Sequence, residues 1–293
     1  LDTCGRKAVC VRVPMDGKIG DPLDGFVESN GLKLHYVDWG GPSNKPMILL
    51  HGLGDCARSW DFFSREMCKD YRVIALDHRG HGDSSYTESH HYVLTDYVDD
   101  VKMLVQCLGL QSMVLVGHSA GGRNAFKYAV DHMDNVDALV IVDASPDGMN
   151  PLFCRLFHLV HRGPAEWDNL EDVEGWLRLR QPFSSEDMIS HQAQCITKLL
   201  CVEQSRRIWK RDPMVLETYD VPDIWSDWSR IECPTLIFRG RQSEILTHEV
   251  AVRMREVNPR FRLAELEGGG HWFYQESPRV FESTVKWFLE HSK

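Results

Sequence analysis

The chain has 293 residues, of which 43% are hydrophobic and 26% are charged, and its formal net charge is -10 at pH 7. This length and composition predict a folded protein with a substantial core and exclude a mainly disordered chain. The acidic balance argues against nucleic acid as a partner, because a negative surface repels phosphate groups.

The longest apolar runs, such as residues 46–50 and 138–142, have the length of strands and are too short to span a membrane. Residues 1–25 contain no apolar stretch of signal-peptide length. We therefore expect a cytoplasmic protein without stable membrane insertion. The chain begins with Leu1 rather than Met, which leaves open whether residues were removed upstream.

Nine cysteines are present, and their spacing contains no C-x-x-C pair. Most lie inside apolar segments, so we expect buried free thiols in a reducing compartment. A disulfide between Cys4 and Cys10 is left open.

From residue 26 onward, short apolar runs alternate with longer stretches of helical periodicity, and residues 1–25 read as an irregular N-terminal extension. The predicted strands are 32–39, 47–50, 72–76, 112–116, 138–142, 235–238 and 261–266. The predicted helices are 58–69, 94–110, 120–131, 247–257 and 278–291. This alternation is typical of an α/β fold with a mostly parallel sheet flanked by helices.

The interval 145–229 interrupts that alternation. It contains helical patterns at 152–161, 171–179 and 186–207 and no convincing strand. It also carries five of the nine tryptophans. Because the strand pattern resumes afterward, we predict a helical lid inserted into one core formed by residues 26–144 and 230–293.

The most specific motif is Gly117-His118-Ser119-Ala120-Gly121, which matches G-x-S-x-G and lies between a predicted strand and a predicted helix. A serine on such a tight turn has a strained backbone that projects its hydroxyl above the sheet. The flanking glycines leave room for the close packing of this turn. The motif therefore predicts Ser119 as a nucleophile, with the Ala120 N–H at the helix N-terminus as a donor to developing negative charge.

Four segments, in this order along the chain, resemble the α/β-hydrolase superfamily. They are His51-Gly52-Leu53-Gly54, the segment 77–84 (Asp-His-Arg-Gly-His-Gly-Asp-Ser), the G-x-S-x-G motif, and Gly268-Gly269-Gly270-His271-Trp272. The resemblance covers residue 26 to the end of the chain. It implies a mostly parallel eight-stranded sheet with the helical lid inserted into it.

The same resemblance implies roles around Ser119. His271 occupies the position of the general base, and imidazole has a pKa suited to accept the serine proton. The Leu53 N–H would be the second oxyanion donor beside that of Ala120. His118 fills the variable position of the motif and receives no proton-transfer role, and we assign it with Trp272 to the substrate pocket.

Two carboxylates compete for the third position of a triad. Many relatives carry the acid at the position of Ser243 or one residue later, so the resemblance favours Glu244. Asp143, at the end of the strand 138–142, is the alternative acid. A carboxylate is needed to hold His271 in the correct tautomer and to stabilise the imidazolium.

Neither a metal nor an organic cofactor is expected. His51, His78 and His81 lie among glycines in segments that the resemblance explains, and no zinc-type ligand spacing occurs. Arg79 and Asp83 are interpreted as structural ties of the loop 77–84.

These observations predict a serine hydrolase that cleaves a carboxylic ester or lactone of a small to medium, partly hydrophobic substrate. One alternative is hydrolysis of C–C bonds in vinylogous diketones on the same triad. Another is a non-catalytic ligand receptor or interaction protein that retains the fold. Haloalkane dehalogenases and epoxide hydrolases are disfavoured, because the resemblance requires Asp in them where Ser119 stands.

Overall fold

A computed structural model describes residues 20–42, 44–148, 161–200, 205–220 and 222–292, together with the backbone of residues 10, 11 and 201. Its strands are β1 (Cys10–Val11), β2 (Leu23–Ser29), β3 (Leu32–Asp38), β4 (Pro46–Leu50), β5 (Arg72–Leu76), β6 (Met113–His118), β7 (Val136–Val142), β8 (Glu166–Trp167), β9 (Thr197–Cys201), β10 (Arg206–Trp209), β11 (Thr235–Gly240) and β12 (Phe261–Leu266).

The central sheet has nine strands in the order β1-β2-β3-β5-β4-β6-β7-β11-β12. Pairing is parallel from β5 to β12 and antiparallel among β1, β2, β3 and β5. The mostly parallel α/β sheet predicted from the sequence is confirmed, with eight strands joined by the two-residue β1. Because β1 pairs with β2 and β2 begins at Leu23, the expectation of an irregular segment throughout 1–25 is wrong.

Helices cover both faces of this sheet. They are α1 (Asp61–Met67), α2 (Leu94–Leu108), α3 (Ala120–Asp131), α4 (Leu170–Arg180), α5 (Glu186–Ile196), α6 (Val215–Thr218), α7 (Trp225–Trp228), α8 (His248–Glu256), α9 (Phe273–Glu276) and α10 (Pro278–His291). Strand β4 is buried along its whole length. Ile48 and Leu50 belong to the core on one face, and Met47 and Leu49 to the core on the other. This two-residue period explains why β4 reads as a continuous apolar run.

The segment between β7 and β11 is not purely helical. Strands β8, β10 and β9 form a separate three-stranded antiparallel sheet beside α4 and α5. The predicted helix 186–207 ends at Ile196, because Thr197 takes up extended backbone and its hydroxyl donates to the Ala193 carbonyl. The expectation of no strand in 145–229 is therefore wrong, and the helix predicted at 152–161 lies outside the described residues except for His161.

Helix α5 docks this insertion onto the core. The Ser59 hydroxyl donates to Gln192 Oε1 at 3.1 Å, and His191 Nε2 donates to the Arg58 carbonyl at 3.0 Å. At the start of the insertion, Arg123 on α3 donates from Nη1 to the Asp147 carbonyl at 2.8 Å. These contacts fix the insertion above the edge of the sheet where β6 and β7 end.

The cysteines differ from expectation at one position. Cys107 is disulfide-bonded, whereas Cys56, Cys68, Cys195 and Cys233 are free. The expectation that the thiols are all free is wrong at Cys107, so cysteine usage no longer argues for a reducing compartment. Among the described residues, no helix combines the length and apolar character needed to cross a bilayer.

Candidate active site

Ser119 lies on the sharp turn between β6 and α3. Its backbone angles are φ 53° and ψ -119°, which is the left-handed side of the backbone map and unfavourable for a residue with a Cβ. Its N–H donates to the Val142 carbonyl at 2.9 Å, and its side chain is 6% exposed. The turn is thus held by the neighbouring strand, with the serine at the sheet edge as the sequence motif predicts.

The glycines on either side of Ser119 are required by space. A Cβ at Gly117 would lie 2.2 Å from the Gly121 carbonyl oxygen. A Cβ at Gly121 would lie 2.3 Å from the Leu50 carbonyl oxygen, at the end of β4. Since both obstacles are backbone atoms, a side chain at either position would force the turn or β4 to move.

We expect Gly121→Ala to lower the free energy of unfolding by at least about 3 kcal/mol. The added methyl group would overlap backbone atoms, which cannot move away without distorting the turn or β4. We also expect any hydrolytic kcat to fall roughly 100-fold, because displacement of the turn misplaces Ser119. Urea unfolding and steady-state kinetics measure the two effects.

Gly175→Ala is the matched control for this prediction. Gly175 lies within α4, and a Cβ there would meet nothing within 4 Å. We expect this variant to be as stable as the parent or up to about 1 kcal/mol more stable, because alanine favours helix over glycine. Equal stability of the two alanine variants would contradict the packing argument.

His271 is paired with Asp143 at the same edge. Its Nδ1 lies 2.6 Å from Asp143 Oδ2, and the carboxylate is 0% exposed. Asp143 directly follows β7, the strand between β6 and β11, and its N–H donates to the Phe238 carbonyl at 2.8 Å. The Ser243 hydroxyl also donates to Asp143 Oδ2. The buried carboxylate is therefore oriented toward the imidazole by groups from β11 and the loop after it.

The preference for Glu244 as the partner of His271 is wrong. Glu244 is exposed, and no hydrogen bond joins it to His271 in the described part of the chain. It comes four residues after the end of β11, where the loop has already reached the surface. Ser243, which occupies the position where many relatives carry the acid, instead supports Asp143, the alternative acid.

The second nitrogen of His271 has no partner. Its Nε2 is buried and makes no hydrogen bond to any described residue, including the Ser119 hydroxyl. Such contacts are often long before substrate binds and tighten in the reacting complex. The Asp143 contact at Nδ1 leaves Nε2 as the nitrogen available to accept a proton.

His118 supports His271 and does not line the pocket. It is 0% exposed, its Nε2 donates to the His271 carbonyl at 2.9 Å, and the two ring centroids are 4.6 Å apart. The assignment of His118 to the substrate pocket is therefore wrong. Burial lowers the pKa of His118, and burial lowers the pKa of His161 well below its usual value, so both stay neutral beside His271 at pH 7.

Leu53 and Ala120 are each next in the chain to a residue at the serine turn, and their role as oxyanion donors stays a prediction. The chain after β4 passes directly over Ser119, since a Cβ at Gly52 would lie 3.1 Å from the Ser119 Cβ. The Leu53 and Ala120 side chains belong to one buried cluster. Neither backbone N–H donates a hydrogen bond to another described residue. Two unused donors are thus available near Ser119, one at the N-terminus of α3.

A cleft between the insertion and the core opens beside this group. Its lining residues are Leu53, Gly54, Asp55, His161, Trp176, Leu177, Arg180, Gln181, Ile196, Trp209, Arg211 and Trp272. The predicted pocket residue Trp272 is among them, and its ring lies 5.0 Å from that of His271. The space inside the cleft is narrow, about 20 Å³, enough for roughly one water molecule.

The histidines and charged residues of the loop after β5 brace the structure. Arg79 makes a two-point contact with Asp100, at 2.6 and 2.7 Å. The Asp77 carboxylate accepts from the Ala57 N–H at 2.6 Å and the Asp83 N–H at 2.9 Å, and it lies 2.6 Å from His35 Nδ1. His35, Asp77 and Asp83 are close enough to share a metal ion, but these contacts already account for their positions.

His51, His78 and His81 have structural partners. His51 Nδ1 donates to the Gly52 carbonyl at 2.7 Å, and its Nε2 accepts from the His78 N–H at 3.0 Å. His81 Nδ1 donates to the Arg79 carbonyl at 3.1 Å. These bonds orient the oxyanion loop and the loop after β5, in agreement with the structural interpretation.

Two residues at the site were missed by sequence reasoning. Ser243 receives no role from the sequence, because a hydroxyl cannot serve as the acid, yet it donates a hydrogen bond to Asp143. Arg211 carries no motif, and only its position on the cleft wall identifies it.

Comparison with known proteins agrees with the fold. The sequence pattern of the α/β-hydrolase fold matches residues 45–278. The putative 2-succinyl-6-hydroxy-2,4-cyclohexadiene-1-carboxylate synthase of Bacillus subtilis is 26% identical over 89% of this chain and 96% of its own length. Epoxide hydrolase 4 of Mus musculus is 28% identical over 90% of this chain and 78% of its own length.

Among solved structures, E-2-(acetamidomethylene)succinate hydrolase superposes with a TM-score of 0.82 at 23% identity, covering 92% of this chain and all of its own. This similarity concerns the fold. The chain belongs to the α/β-hydrolase fold family.

Proposed function

We propose that this protein is a serine hydrolase that cleaves a carboxylic ester or lactone through an acyl-enzyme on Ser119. The observation that carries the proposal is the buried Asp143–His271 pair, with Nδ1 and the carboxylate 2.6 Å apart and Nε2 left free. The Asp143–His271 pair lies at the edge of the sheet where β6 ends and Ser119 occupies a strained turn. A buried carboxylate that holds one nitrogen of an imidazole is the arrangement that orients a general base toward a serine.

In the first half-reaction, the Ser119 hydroxyl attacks the carbonyl carbon of the substrate while His271 Nε2 accepts its proton. Asp143 stabilises the imidazolium that forms. The N–H groups of Leu53 and Ala120 bind the oxyanion of the tetrahedral intermediate. The C–O bond to the leaving group then breaks, and His271 returns the proton to the departing alkoxide.

In the second half-reaction, a water molecule attacks the acyl carbon of Ser119 while His271 accepts a proton from it. Collapse of the second tetrahedral intermediate breaks the bond to Ser119 Oγ, which takes its proton back from His271. The products are a carboxylic acid and an alcohol, or a hydroxy acid when the substrate is a lactone.

The lining of the cleft supports a substrate with apolar parts. Leu53, Trp176, Leu177, Trp209 and Trp272 contribute apolar wall, and the space between them is narrow. Apolar walls around a few polar groups are typical of small-molecule sites.

Labelling with a fluorophosphonate tests the nucleophile directly. We expect one adduct per chain, mapped to Ser119 by mass spectrometry, and no adduct in Ser119→Ala. A panel of p-nitrophenyl esters of graded acyl length and several lactones then tests the substrate class, and we expect turnover that the fluorophosphonate abolishes.

Absence of labelling and of turnover would overturn the hydrolase proposal and favour a ligand-binding protein that retains the fold. Labelling of Ser119 without turnover of any ester or lactone would overturn only the substrate class, and would direct attention to other carbonyl substrates such as vinylogous diketones.

A further inference from the structure

Arg211 is a buried cation that has no counter-ion among the described residues. Its side chain is 6% exposed, and in the described part of the chain no carboxylate lies within 4.0 Å of it. Its guanidinium stacks on Trp209 at 4.3 Å and donates from Nη1 to the His161 carbonyl at 3.4 Å. Its Nε is buried and has no hydrogen-bond partner among the described residues. The Nε–H group of Arg211, on this wall of the cleft, therefore remains able to donate a hydrogen bond to a ligand.

Burial without a counter-ion is unfavourable for a guanidinium. Desolvation lowers the pKa of Arg211 to about 10, and the Asp55 carboxylate, which lines the same cleft, acts in the opposite direction. An unpaired buried charge costs stability, so packing does not explain the choice of arginine here. The arrangement is consistent with a charge whose partner arrives with a ligand.

The backbone that carries Arg211 is firmly held. Arg211 forms an antiparallel bridge with His81, and the N–H of the next residue, Asp212, donates to the Gly80 carbonyl at 2.8 Å. The Asp212 carboxylate accepts from the Tyr92 hydroxyl at 2.6 Å. The guanidinium is thus positioned in advance, which reduces the entropy cost of binding an anion.

A second guanidinium lines the same cleft. Arg180, at the end of α4, is half-buried and stacks on Trp176 at 4.4 Å. Its charge is close enough to contribute to the lowered pKa of Arg211. Two like charges converging on one cleft raise the electrostatic potential there. Asp55 is the carboxylate among the lining residues, and it lies 3.6 Å from His118 Nδ1.

The cleft adjoins the reacting group. A Cβ at Gly54 would lie 2.8 Å from Arg211 Nη1, whereas a Cβ at Gly52 would lie 3.1 Å from the Ser119 Cβ. Since two residues span at most about 7 Å of chain, the guanidinium lies within roughly 16 Å of the Ser119 Cβ. A carboxylate and a scissile carbonyl joined by a chain of a few carbon atoms fit within that limit.

We propose that Arg211, assisted by Arg180, binds a carboxylate of the substrate, and that the natural substrate is an ester or lactone whose acyl part carries a second carboxylate. This inference rests on the proposed ester or lactone hydrolysis at Ser119. Arg211 would make a two-point contact with the carboxylate, the geometry that a guanidinium fork favours.

Matched substrates test this specificity. The p-nitrophenyl half esters of glutaric, adipic and pimelic acids carry a free carboxylate, and their methyl-capped diesters have a similar chain without the charge. We expect kcat/KM to be at least about 10-fold higher for the free acid at one chain length, as for a charge-assisted two-point contact. Arg211→Met should abolish that preference, so that kcat/KM for the free acid no longer exceeds kcat/KM for the capped diester.

Two further variants control for folding and for charge in general. Arg211→Lys should recover part of the preference, because lysine keeps the charge but not the fork. Arg178→Met removes an exposed arginine of α4 that pairs with Glu186, and should leave the preference intact. Thermal unfolding of all variants verifies that each is folded.

The outcomes separate the two proposals. Equal kcat/KM for charged and capped esters in the parent, with fluorophosphonate labelling of Ser119 intact, would overturn the carboxylate site alone. If no ester is turned over, calorimetric titration with adipate is the remaining readout. Binding that is lost in Arg211→Met but kept in Arg178→Met supports the site, and absence of binding overturns it.

Discussion

Ser119→Ala should lower kcat for the best ester about 10⁶-fold, because loss of the nucleophile removes the acyl-enzyme route and leaves only oxyanion and binding effects. Pre-steady-state kinetics should show a burst of p-nitrophenol in the parent if deacylation limits turnover, and no burst in the variant. The stability of the variant should change little, since the strained turn keeps a Cβ at the same position.

Ser64→Ala is the matched control. Ser64 lies on α1 and is fully buried. Like Ser119, it lies in the core domain, and its hydroxyl has no hydrogen-bond partner among the described residues. The same chemical change there should leave kcat within about twofold. A kcat in Ser119→Ala of more than a hundredth of the parent value would contradict the assignment of this serine as nucleophile.

Asp143→Asn should lower kcat by about 10⁴-fold at neutral pH. The asparagine keeps the shape but no longer stabilises the imidazolium, and its amide can hold His271 in the wrong tautomer. The distance of 2.6 Å between His271 Nδ1 and Asp143 Oδ2 makes this carboxylate the one that acts on the ring. Substrate KM should change much less than kcat, because Asp143 is buried behind His271.

Glu244→Gln provides the same carboxylate-to-amide change at the exposed candidate. We expect its kcat to stay within about twofold of the parent, because Glu244 has no hydrogen bond to His271 in the described residues. A large loss in Glu244→Gln together with a small loss in Asp143→Asn would return the acid role to Glu244.

The two candidate acids show why the sequence could not decide between them. Both Asp143 and Glu244 lie between Ser119 and His271 in the chain, so the order serine, acid, histidine fits either one. Spatial order in the sheet makes the difference. Strand β7 lies between β6 and β11, so a residue directly after β7 ends beside the serine turn, whereas Glu244 has followed the loop out to solvent.

The insertion shows a second limit of sequence patterns. The run 186–207 is amphipathic enough to suggest one helix, yet it forms α5 and then β9 and β10. Short strands in a small sheet depend on pairing with chain that is distant in sequence, as β8 pairs with β10. The hydrophobic periodicity of a segment does not predict which distant strand it pairs with.

The sequence by itself determined the family resemblance, the mostly parallel sheet, and the positions of Ser119 and His271. It did so because a strand-to-helix turn with two obligatory glycines, and a histidine after the last strand, are local features with local physical causes. Only the tertiary structure decided that Asp143 holds His271, that His118 faces the core, and that Arg211 reaches the cleft. Each of those outcomes depends on which distant segments become neighbours at one edge of the sheet, and burial and charge act only after that packing has formed.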